Sequence, residues 1–148
     1  GIFTEAEIFS RRDIMLENYV KSVNIEAVTM TDMARKEIIP AVARFAADTA
    51  NDIAAKKAVV STVSCAYESR LVSDLSALVD EMDAATSKLE EIIAKFKTFT
   101  EAVPASEFVR DEMLPAMDTL RAAADKAEQL TAESYWPFPA YDKLLFGV

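Results

Sequence analysis

Apolar residues recur along most of this chain at alternating intervals of four and three. Between Ala66 and Thr100 the run is Leu71, Leu75, Leu78, Met82, Ala85, Leu89, Ile92, Phe96 and Phe99. Such a heptad seam predicts a long helix packed at a shallow angle on its neighbours. Its other side carries Asp74, Asp80, Glu81, Lys88, Glu90, Glu91 and Lys95, with Glu91 and Lys95 in the favourable i,i+4 order. A second seam, Leu16, Val20, Val23, Ala27, Met30 and Ala34, leads into an alanine-dominated stretch, Ala41 to Ala58. Alanine is the best helix former, so a helix is expected over about 4–57. The β-branched, serine-rich Val59–Ser64 predicts a connection, and Asn51-Asp52 offers an earlier break. A third seam is Val109, Met113, Ala116, Leu120, Ala123, Ala127 and Leu130. Pro104 and Ser106 mark its start, and the helix is expected over about 106–132.

Pro40 and Pro115 fall inside these helices, where proline removes a backbone donor and clashes with the carbonyl four residues back. Their contexts resemble each other: Arg35-Lys36-Glu37-Ile38-Ile39-Pro40-Ala41 and Arg110-Asp111-Glu112-Met113-Leu114-Pro115-Ala116. The terminus departs from the pattern. Trp136-Pro137-Phe138-Pro139 cannot begin as helix, yet Trp136, Phe138, Tyr141, Leu144, Leu145 and Phe146 are large and apolar. Each gains roughly 1.5–3 kcal/mol on full burial, so the tail over 136–148 is expected to dock, with Asp142 to Phe146 forming a last helical turn. The expected fold is all-α: an antiparallel bundle of three long helices (4–57, 66–100, 106–132) with the short aromatic, proline-rich tail packed on it.

Composition removes most chemistry. A chain of 148 residues suits one helical domain, and glycine only at positions 1 and 147 argues against a many-turned β fold. A net charge of −9 disfavours nucleic acid and anionic membranes as partners. Without histidine there is no Glu-x-x-His di-iron motif and no Ser-His-Asp or Cys-His nucleophile. Without internal glycine there is no phosphate-cradling loop, and a lone cysteine cannot build a zinc site. Cys65 reads as a small buried hydrophobe in a reducing, cytoplasmic setting. The carboxylates Glu17, Glu26, Asp32 and Glu37 read as solvated helix faces before acid–base groups. Lys21 and Asn24 flank the Leu16–Ala34 seam as contact residues for a partner. No start methionine precedes Gly1, and a fragment of a longer chain is expected.

Two blocks carry a resemblance. Glu17-Asn18-Tyr19-Val20-Lys21-Ser22-Val23-Asn24-Ile25-Glu26-Ala27 leads to Thr29-Met30-Thr31-Asp32-Met33-Ala34 and Ile38-Ile39-Pro40-Ala41. Leu114-Pro115-Ala116-Met117 and the closing Trp136-Pro137-Phe138-Pro139-Ala140-Tyr141 with Leu144-Leu145-Phe146 follow in order. In this order the chain resembles the C-terminal helical region of type III glutamine synthetases, with Ala140 where that family more often has threonine. The resemblance implies a parent enzyme that joins ammonia to glutamate using ATP, with Mg²⁺ or Mn²⁺ held in an upstream catalytic domain. It implies no catalytic, cofactor or metal residue on this segment. It also implies stacked hexameric rings, so that the partners are the chain's own catalytic domain or neighbouring subunits. The residues expected to dock are Trp136, Phe138, Tyr141, Leu145, Phe146, Lys21 and Asn24. The alternative is a free-standing helical adaptor or coiled-coil scaffold, which the seams alone would serve equally well.

Overall fold

The fold is seen in a computed structural model, which describes residues 4–139. It is all-α, with no strand among the described residues. The first long helix is α1 (Glu5–Met33), a wide π-helical turn (Ala34–Ile38) and α2 (Ile39–Val59) in unbroken succession. Helix α3 spans Ala66–Phe96; α4 (Ala102–Phe108), a second π-helical turn (Val109–Met113) and α5 (Leu114–Leu130) form the third.

The ends follow from local chemistry. Thr4 and Glu7 form a capping box before α1: the Thr4 hydroxyl accepts from the Glu7 N–H at 3.4 Å, and the Glu7 carboxylate accepts from the Thr4 N–H at 2.7 Å. The Thr4 N–H, and the Thr4 hydroxyl donating to the same carboxylate at 2.9 Å, hold the Glu7 carboxyl below its ordinary pKa. The chain stays helical through Asn51 and Asp52, whose exposed side chains are solvated and cap nothing. Helix α3 stops at Phe96, short of the expected 100, where the Thr98 hydroxyl and N–H both turn back onto the Lys95 carbonyl, at 2.8 and 3.0 Å. Helix α4 starts at Ala102, ahead of the expected 106, because Pro104 falls in its first turn, where a missing N–H costs nothing.

The chain divides into two compact units, each built from three helical segments. In the unit of Gly1–Asp32 and Ala85–Leu120, the described core comes from Val20, Val23 and Ala27, from Leu89, Ile92 and Ile93, and from Phe108, Met113, Met117 and Leu120. The Phe99 and Phe108 rings lie 4.9 Å apart, and the Lys95 ammonium sits 4.9 Å above the Phe108 ring. In the unit of Met33–Ala84 and Arg121–Val148, the core joins Ile38, Val42 and Ala46 to Leu71, Leu75, Leu78 and Met82 and to Ala123 and Ala127. Cys65 is buried there as well.

The third seam is corrected by one residue at two places. Met117 and Thr131 are buried where Ala116 and Leu130 were expected, and Leu130 is 40% exposed. The wide turn explains the first shift. Ala105, Val109, Met113 and Met117 are all buried, as are Ala34, Ile38, Val42 and Ala46. Three successive steps of four would drift by about 120° around a regular α-helix. One extra residue held in a π turn removes about 100° of that drift, so the stripe stays inward. At the far end the Thr131 hydroxyl and N–H both bond to the Ala127 carbonyl, at 2.7 and 2.9 Å, which lets a polar side chain take the buried place.

Candidate docking surface

The described residues offer surfaces for contact and little for chemistry. Core positions of α1 take Val20, Val23 and Ala27, leaving large apolar side chains on the rest of the helix in solvent. Ile8, Phe9, Ile14, Tyr19, Ile25 and Val28 are all exposed, and Met15 is 72% exposed. At about 100° per residue, Ile8, Met15 and Tyr19 line up on one side, and Ile14, Ile25 and Val28 on another. The first set, with Leu16 and the stems of Arg11 and Arg12, lines a shallow apolar groove of about 490 Å³. Arg12 also lies over the Phe9 ring at 5.1 Å and pairs with Asp13 at 2.8 Å. This groove falls wholly within the first unit.

Of the residues expected to dock, Lys21 is exposed on the second stripe and pairs with Glu17 at 3.3 Å. Asn24 is half-buried, and its Oδ1 is enclosed with no hydrogen-bond partner among the described residues. Trp136 and Phe138 belong to the other unit, are half-buried, and meet edge to face at 6.4 Å. The Trp136 N–H reaches the carbonyls of Ala132 and Glu133, both at 3.2 Å. Tyr141, Leu145 and Phe146, with the expected turn over 142–146, lie outside the described residues. Two features were not expected. One is the exposed stripe of α1, whose signal was the apolar residues Ile8, Met15 and Tyr19 left off the seam. The other is Tyr135, which donates to the Asp48 carboxylate at 2.8 Å and sets its ring 5.0 Å from Phe45. That donated bond raises the Tyr135 pKa above its ordinary value, since ionisation would set two negative charges together.

The carboxylates do not converge. Glu17, Glu26, Asp32 and Glu37 are exposed, and among the described residues no group of three or more Asp, Glu, Cys or His is placed to hold a metal ion. The shifted groups are surface pairs. Hydrogen bonding at 2.5 Å lowers the Glu68 pKa and raises that of Lys56, and Arg110 lowers Asp111 in the same way. No helix of the described residues is long and apolar enough to cross a membrane.

Comparison with known proteins places the chain in a family. The family described as the glutamine synthetase C-terminal domain matches residues 1–57, which cover α1, the first wide turn and most of α2. Over 148 residues the chain is 38% identical to a glutamine synthetase of Butyrivibrio fibrisolvens. It is 28% identical, over 99% of its length, to a type-3 glutamine synthetase of Dictyostelium discoideum. A glutamine synthetase of Bacteroides fragilis (strain YCH46) is 25% identical over 98% of the chain. The chain spans 21%, 20% and 20% of these relatives' lengths, so the likeness covers nearly all of the chain and about a fifth of each relative. The chain belongs with the C-terminal domains of glutamine synthetases.

Proposed function

We propose that this domain is a structural and assembly module of a glutamine synthetase, and that it works by docking, without chemistry of its own. The observation that carries the reading is the row of large apolar side chains exposed along α1, inside the segment that the family model matches. Contiguous exposed apolar surface on a folded domain marks a contact site. The occupant is the remainder of the polypeptide or a neighbouring subunit, and the ring-like assembly implied by the resemblance would bring either within reach. Lys21 lies with the other exposed stripe of α1 and Asn24 beside the helix's core positions, and Trp136 and Phe138 supply a second aromatic contact on the other unit. The parent activity is the ATP-dependent joining of ammonia to glutamate in a cytoplasmic enzyme. ATP and the divalent metal belong to the catalytic part of that enzyme. Among the described residues the carboxylates do not converge and do not fit a metal ion.

Two measurements test the reading. Titration calorimetry of this chain with Mg·ATP is expected to give no saturable heat, and a micromolar site would overturn the absence of chemistry. In the full-length enzyme, Met15→Asp combined with Tyr19→Asp is expected to shift the particle mass in light scattering toward smaller species or to expose the domain to protease. Unchanged mass and protection would remove α1 as the docking face.

A further inference from the structure

The two wide turns are one device used twice. Glu26-Ala27-Val28 matches Glu101-Ala102-Val103, and Arg35, Glu37, Pro40 and Ala41 match Arg110, Glu112, Pro115 and Ala116 at the same spacing. The geometry matches as well. The Thr31 hydroxyl donates to the Val28 carbonyl at 2.8 Å, and the Ser106 hydroxyl donates to the Val103 carbonyl at 2.7 Å. The Ile39 N–H reaches back five residues to the Ala34 carbonyl, and the Leu114 N–H reaches back five to Val109. In both, the proline follows directly on that last wide bond.

We propose that Pro40 and Pro115 are register pins, each fixing one extra helical residue in the turn before it. In a regular α-helix the Pro40 ring would press on the Lys36 carbonyl and leave it without a donor; Pro115 would do the same to Asp111. A wide turn just upstream opens the backbone where the ring enters. Without the ring, nothing in the hydrogen-bond ladder dictates which turn keeps the extra residue. The pin therefore decides which residues face inward: Ala34, Ile38, Val42 and Ala46 around the first, and Val109, Met113 and Met117 around the second. This device does not depend on the docking role proposed above.

A double-mutant cycle on the 148-residue chain tests it. Deleting the exposed Lys36 turns the steps of the buried stripe into three, four and four, which suits a regular helix, but strands Pro40 inside it. Deletion alone is expected to lower Tm by roughly 6–12 °C, and adding Pro40→Ala to restore most of that loss. A deletion protein that fails to fold while the double variant folds supports the pin equally. Additive effects, or a double variant no better than the deletion, would overturn it. Deleting Glu90 from the uninterrupted α3 is the control: it rotates the helix by about 100° and gains nothing from Pro40→Ala. As a second readout, Pro40→Ala alone is expected to speed hydrogen exchange at the Ile39 amide, and unchanged protection there would count against the pin. Deletion of Asp111 with Pro115→Ala repeats the cycle independently.

Discussion

Truncating Met117 or Leu130 separates the register of the structure from the register of an unbroken seam. The seam places Leu130 inward and passes over Met117, whereas the structure leaves Met117 8% exposed and Leu130 40% exposed. Removing a buried methionine loses its transfer free energy and leaves a cavity that neighbours fill only partly, about 2–5 kcal/mol. Met117 lies in the same core as Met113 and Leu120, all nearly inaccessible, so little room exists for collapse. A value near the middle, about 3 kcal/mol, corresponds to a fall in Tm of roughly 6–12 °C for a chain of this size. Leu130→Ala opens no closed cavity, and its loss should stay within about 1 kcal/mol, or roughly 2–4 °C. Thermal unfolding followed by far-ultraviolet circular dichroism measures both on the same protein. Equal falls for Met117→Ala and Leu130→Ala would refute the one-residue shift that the wide turn imposes.

Three further outcomes follow from particular contacts. Tyr135 has its folded pKa raised by donating to Asp48, so its contribution is fully present below the unfolded value of about 10 and is lost as pH rises through the folded value. Denaturant midpoints of wild type and Tyr135→Phe should therefore converge as pH climbs from about 8 to 11, and a constant gap would exclude the phenol–carboxylate bond as its source. Cys65, 5% exposed, should react with an aromatic disulfide reagent far more slowly in the native chain than in urea, and equal rates would place the thiol at the surface. Met15→Asp, at a site 72% exposed, should move the stability of this chain by no more than about 0.5 kcal/mol, and a larger loss would mean that Met15 packs within the domain.

Most positions of the seams were legible because helical periodicity is a local property. Leu71, Leu75, Leu78, Met82, Leu89 and Ile92 are buried as their spacing required, and Val20, Val23, Ala27 and Ala34 likewise. The likeness between the two proline segments was visible too. What it meant was not, because a proline in a helix is compatible with a break, a kink or a wide turn, and spacing alone does not choose. Helix ends were read less well. They depend on which hydroxyl captures which carbonyl, as Thr98 does at Lys95 and Thr131 at Ala127. Of the residues expected to dock, Lys21 proved exposed and paired, whereas Asn24, Trp136 and Phe138 proved half-buried. The hydroxyl bonds and the Lys21–Glu17 pair join residues three or four apart, but spacing does not say which of several such pairings forms, and burial depends on what packs against each face.

The sequence by itself determined an all-α chain of three long helices, a core drawn from its seams, and kinship with glutamine synthetases, because these rest on residue types and intervals along one strand of chain. Tertiary structure alone decided that each proline is absorbed in a π turn, that Met117 and Thr131 displace Ala116 and Leu130 from the solvent-shielded face, and that Ile8, Met15 and Tyr19 stay uncovered. Those outcomes depend on rotation about a helix axis and on what packs against each face, and a one-residue change in a turn alters both without disturbing the pattern that made the helix.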